Sequence, residues 1–84
     1  MLSAESVRWR LGRILAEDHA WDAMEGRCVP FAELRHVLEH AESCRSQPNG
    51  RWRVVGRDPD GDVLRVIVEL HDELLVVTVF RGDE

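Results

Sequence analysis

Apolar residues recur along this chain with two different periods. Val7, Leu11, Ile14 and Leu15 are spaced as one face of a helix, with Ser3 available as its N-cap. An unbroken continuation would put Asp18 on that apolar face, so the spacing predicts a break near Glu17–Asp18. Asp18 then caps a second short helix through Trp21 and Met24, which Gly26 ends. Pro30 suits the first turn of a third helix. Phe31, Leu34, Val37, Leu38 and Ala41 form its apolar stripe, and Glu33, His36 and His40 lie on the opposite face.

The turn signal Gln47-Pro48-Asn49-Gly50 divides the chain, and beyond it the period changes to two. Arg51–Arg57, Val63–Leu70 and Leu74–Phe80 read as strands. Asp58-Pro59-Asp60-Gly61-Asp62 and His71-Asp72-Glu73 read as hairpin loops. Loops this short imply an antiparallel meander. The expectation is one α+β domain over residues 1–84, with a helical half at 1–46 and a sheet at 51–81. Two or three N-terminal helices would cover one face of a three-stranded antiparallel sheet.

The strands have two unlike phases. Leu64, Val66, Val68 and Leu70 share one, joined by Trp52 and Val54, and this is the core side. The other carries Arg51, Arg53, Arg57, Arg65 and Glu69. This changes the meaning of the composition. The net charge is −5, and all 11 basic residues are Arg. The acids gather instead in the 58–62 loop and on the third helix, so an acidic chain presents an Arg-rich sheet face. Open antiparallel faces are commonly charged simply because they are wet.

The composition excludes several classes. The apolar content, 44%, is too high for a disordered tail. The longest uninterrupted apolar run, Leu74–Val77, is far shorter than a membrane span. Glu5, Arg8, Arg10 and Arg13 break up the N-terminal stretch, so it does not read as a signal peptide, and the expected address is a microbial cytoplasm. At 84 residues the buried core is small, and a homodimer or another partner would supplement it. No glycine-rich phosphate loop or Cys-x-x-Cys is present, and no cofactor is expected. His36, His40 and Cys44 repeat at i, i+4 and i+8, yet on a solvated face, so no metal site is assigned. Cys28 and Cys44 read as packed or idle thiols. Trp21 and Trp52 read as core, and Trp9 as an exposed anchor for a partner.

One stretch carries a further signal. His19-Ala20, then Ala23-Met24, then Arg27-Cys28-Val29-Pro30 resembles the helical half of a bacterial domain-of-unknown-function family. That family has His-Ala, Arg-Met and Arg-Gly-Ile-Ser there. Ala23, Cys28 and Pro30 stand where the pattern has Arg, Gly and Ser. The sheet half is similar as well, through Arg53-Val54-Val55-Gly56-Arg57, the Asp-Pro-Asp-Gly loop, Leu64–Val68 and Val77–Phe80, with Phe80 where the family often has Tyr. That family looks related to the BrnT and RelE-like toxins of toxin–antitoxin systems, which pack helices on an antiparallel sheet and cut RNA.

The resemblance implies a toxin-like, RNA-directed domain, and a metal-independent endoribonuclease is the enzymatic form of that reading. Cleavage through the 2′-hydroxyl needs a base, an acid and cations at phosphorus. His19 would serve as acid or base, and Arg65 as a catalytic cation. Arg27, Arg53 and Arg57 would hold phosphates in forked contacts. Glu69 would be a base or the ion partner of Arg65. The alternative is a non-catalytic protein-interaction or regulatory module that uses the same face. The expected partners are RNA, and a cognate antitoxin or another protein.

Overall fold

The alternation in the second half does build strands, and they recruit two more that sequence periodicity does not reveal. The computed structural model describes residues 14–82. In chain order its elements are β1 (Ile14–Ala16), α1 (Asp18–Gly26), α2 (Phe31–Glu39), β2 (Ser43–Ser46), β3 (Trp52–Arg57), β4 (Val63–Leu70) and β5 (Leu74–Arg81). They form one five-stranded sheet in the order β1-β5-β4-β3-β2. β2 through β5 pair antiparallel, and β1 pairs parallel to β5.

This corrects the expected three-stranded meander, although the α+β class stands. The predicted first helix fails where it can be judged. Ile14–Ala16 is a strand, with Ile14 opposite Leu74 and Ala16 opposite Val76. The rest of that predicted helix, with Ser3 and Trp9, lies outside the described residues. The reason is tertiary: β5 offers an unpaired edge, and pairing there points Ile14 and Ala16 at the core while Leu15 turns outward, 53% exposed. Ser43–Ser46, expected at the end of the helical half, is instead the far edge strand. Cys44 sits opposite Val54 and Arg45 opposite Arg53.

α1 begins one residue earlier than the predicted cap implies. Glu17 holds the N-cap position, with no side-chain capping bond, and Asp18 is the first helical residue. The helix ends at Gly26 as expected, but the glycine is not the left-handed residue of the cap. Cys28 adopts the left-handed conformation at φ 54°. Its N–H donates to the Glu25 carbonyl at 3.2 Å, and the Val29 N–H donates to the Met24 carbonyl at 2.8 Å. This is the two-bond Schellman termination, completed by burial of both Met24 and Val29.

The core lies between the helices and one sheet face. Ala20, Met24, Leu34, Val37 and Leu38 from the helices meet Val54, Leu64, Val66, Val68, Leu74, Val76 and Val79 from the strands. α2 crosses β3 at Gly56. A Cβ there would lie 3.0 Å from both the Val37 side chain and the Val37 carbonyl, so the close approach favours glycine. Trp52 packs against the core as expected. Trp21 does not. It is 47% exposed and stacks on Phe31, with ring centroids 5.8 Å apart.

An irregularity in the β4–β5 pairing decides which face the end of β5 presents. Ile67 pairs with Thr78, but Val68 pairs with Val76, leaving Val77 as an extra residue. Strict alternation from Leu74 and Val76 would turn Thr78 and Phe80 toward the helices. The bulge resets the phase, so Val79 joins the core and Thr78 and Phe80 face the other way.

Candidate nucleic-acid interface

Among the described residues, the helices occupy one side of the sheet and none covers the other. Two adjoining hollows lie on that open face. The larger, about 320 Å³, is lined by Arg51, Arg53, Arg65, Ile67, Thr78 and Phe80 from the sheet, and by Gln47, Pro48 and Asn49 from the β2–β3 turn. The smaller, about 230 Å³, is lined by Ser43, Arg45, Arg53, Val55, Val63 and Arg65. Arg53 and Arg65 line both, so they form the ridge between them.

The register explains this ridge. Arg53 is directly opposite Ile67, and Arg65 is two residues from Ile67 on β4. The two arginines are therefore diagonal neighbours on one face, with backbones roughly 7–8 Å apart. From that spacing two guanidinium groups can close on one phosphate. On its other side Arg53 is directly opposite Arg45. Like charges set opposite each other across strands destabilise a sheet, and the described residues that line the two hollows include no carboxylate beside Arg45 and Arg53. The Arg53 Nε is buried and has no hydrogen-bond partner among the described residues. A buried polar atom left unsatisfied is costly, and an incoming oxyanion would satisfy it.

The rim is organised by Glu69. Its Oε2 accepts from Arg51 Nε at 3.2 Å, and its Oε1 is 3.2 Å from His71 Nε2. The hydrogen bonds from His71 and Arg51 hold its carboxyl below the usual glutamate range, against a smaller opposing effect of burial. Glu69 is therefore the partner of Arg51 and His71, not of Arg65 as expected. At the other rim, the Arg27 guanidinium lies 5.3 Å from the centre of the Phe80 ring, within cation–π range.

The sequence-predicted residues divide. Arg53 and Arg65 come together on the ridge, Glu69 stands at the rim, and Arg27 reaches it through Phe80. Arg57 turns away: its Nε lies 3.3 Å from Glu42, its Nη1 donates to the Gly61 carbonyl at 3.0 Å, and it lines neither hollow. His19 is on α1, on the helical side, 59% exposed and 3.1 Å from Glu17. It lines neither hollow. Arg45, Phe80 and His71 join the face without having been singled out as site residues. Arg45 depends on β2 and Phe80 on the bulge, and neither leaves a periodic signal.

Other candidates resolve into structure. Helix α2 ends at Glu39 and Cys44 lies in β2, so the expected His36, His40 and Cys44 series does not exist on one helix. The His36 and His40 rings lie 4.5 Å apart. Burial pushes the Cys44 thiol up, away from the reactive thiolate. Glu33, Asp58 and Asp60 approach one another closely enough to suggest a cation site. Arg81 supplies the positive charge there, 3.1 Å from Asp58 and 3.6 Å from Glu33.

A family profile matches residues 17–81, from the start of α1 to the end of β5. The chain belongs to the domain of unknown function DUF4258 family. No curated protein and no solved structure matches it. In this DUF4258 domain the matched span contains both helices, four of the five strands and the whole arginine face. Ala20, Met24 and Val29 of the helical motif are core residues, so they carry packing. Cys28 occupies the one position of that motif with positive φ. No helix among the described residues is long and apolar enough to cross a membrane.

Proposed function

We propose that this DUF4258 domain is a toxin-like, RNA-directed module that grips the phosphate backbone on its open sheet face. The observation that carries the reading is the Arg53–Arg65 ridge. It has Arg45 beside it and a buried Arg53 Nε with no acceptor among the described residues. A net charge of −5 does not oppose this, because charges beyond about 10 Å are largely screened at physiological salt. The resemblance to RNA-cutting toxins supplies the choice of RNA. The geometry supports gripping ahead of cutting. Arg65 is well placed for phosphate, but Glu69 is held by Arg51 and His71, and His19 lies on the helical side.

The test is fluorescence anisotropy with a labelled short single-stranded RNA across a salt series. The expected result is micromolar binding that weakens with salt, as backbone contacts require. Arg53→Ala combined with Arg65→Ala should cost tenfold or more in affinity (roughly the worth of one or two phosphate contacts). Equal binding by the parent protein and the double variant overturns the reading.

A further inference from the structure

The two hollows share the arginine ridge and differ in that the larger alone has an aromatic ring and the 47–49 turn, which points to how a strand would lie. The larger has Ile67, Phe80 and Pro48 beside its arginines, with Gln47 and Asn49 lining its turn-side edge. An unpaired nucleobase has the matching character, a flat apolar face with donors and acceptors around its rim. The smaller hollow has Ser43, Arg45, Arg53 and Arg65 together with Val55 and Val63, and its described lining includes no aromatic ring. Its chemistry suits sugar and phosphate.

Resting on the RNA reading above, we propose that the larger hollow is a nucleobase subsite for single-stranded RNA. The base lies against Phe80 and Ile67, Gln47 and Asn49 read its edge, and the attached phosphate crosses the Arg53–Arg65 ridge toward Arg45. A base inside a duplex is stacked and paired, so it cannot enter such a hollow. The subsite therefore selects single strands. Asn and Gln amides offer one donor and one acceptor side by side, which suits paired contacts to a base edge. Arg27, over the Phe80 ring, positions the aromatic wall and adds positive charge beside it.

The discriminating probe is an abasic ribose-phosphate oligomer with the same charge and length as a single-stranded RNA. Both are measured by anisotropy at one salt concentration. The expected result is that the parent protein binds the RNA about tenfold or more tightly than the abasic oligomer, in line with the worth of one stacked base. Phe80→Leu, checked for folding by circular dichroism, should erase that preference. Asn49→Ala, at an exposed turn, should narrow the differences among poly(A), poly(U) and poly(C). Arg53→Ala should weaken RNA and abasic oligomer alike. Equal binding of the two oligomers by the parent protein overturns the base subsite while leaving the phosphate grip intact. A preference that survives both Phe80→Leu and Asn49→Ala places the base elsewhere and overturns it too. No binding of either oligomer overturns both readings.

Discussion

Arg81 Nη1 donates to Asp58 Oδ2 at 3.1 Å, and this contact joins the end of β5 to the β3–β4 loop. Each residue does more than pair. The Asp58 Oδ1 accepts from the backbone N–H of Asp60 at 3.0 Å and of Asp62 at 2.8 Å, which shapes the loop. Arg81 also donates to the carbonyls of Arg27 at 3.1 Å and Cys28 at 2.9 Å, satisfying acceptors just beyond the end of α1. One guanidinium thus fastens a helix terminus, a hairpin loop and a strand.

Acid sensitivity follows from Asp58. Burial alone would raise its pKa. The Asp62 N–H, Arg81 and the Asp60 N–H outweigh that and hold it below the ordinary value of 3.8. In that window the unfolded chain binds the extra proton, so stability rises with pH. The contribution of Asp58 is complete above the ordinary value and is lost as pH falls through its folded pKa. Asp58→Asn should lower the thermal midpoint at neutral pH and flatten this part of the acid profile. A calorimetric pH series checks it, and an unchanged acid limb counts against the assignment.

Arg81→Ala should destabilise more than the loss of a surface ion pair would. It leaves an Asp58 side chain that is only 1% exposed without its charge partner. The fall in midpoint should be several degrees, and Arg81→Lys should restore only part of it, because Lys cannot fork between the carboxylate and two carbonyls. Thermal melts of the three proteins measure this directly.

Cys28→Gly should stabilise the domain by about 0.5–1 kcal/mol, since a side chain at φ 54° is strained and glycine is not. The added freedom of glycine in the unfolded chain is the reason the gain is not larger. A urea midpoint shifted upward without a change in slope is the expected record.

Gly56→Ala should cost about 1–3 kcal/mol. The new Cβ meets the Val37 carbonyl as well as its side chain, so rotamer change cannot clear the contact. Chemical denaturation reads the loss. An unchanged midpoint would mean that α2 does not sit on β3 as closely as described.

Glu69→Gln separates two roles for that carboxylate. As the restraint on Arg51, its removal frees a cation beside the larger hollow and should tighten RNA binding about two- to threefold at low salt. As a catalytic base, its removal would leave binding unchanged and abolish any cleavage. Anisotropy and a cleavage gel on the same variant distinguish the outcomes.

Much of the arginine face is legible in the sequence. Period two in Arg51–Arg57 and Val63–Leu70 is a local property, because successive side chains in a strand must alternate. It placed Arg53 and Arg65 on one face opposite Val54, Leu64 and Val66, as the fold has them. The same local logic outlined both helices through their apolar stripes. It did not supply Arg57, whose side chain is drawn aside by Glu42, or His19, whose position depends on which face of the sheet the helices cover.

The sequence by itself therefore determined the two helices, the three long strands and an arginine face, since all of these rest on repeats that a chain imposes on its own neighbours. Only the tertiary structure decided the rest. β1 and β2 span three and four residues, too few for a period to show, and they exist because β5 and β3 offer edges to pair with. Arg45 reaches the arginine face through that pairing. Phe80 reaches it because an extra residue in β5 reverses the alternation, a choice set by how β5 registers on β4. The larger hollow needs Phe80 and the 47–49 turn together, so its shape depends on contacts between segments far apart in the chain.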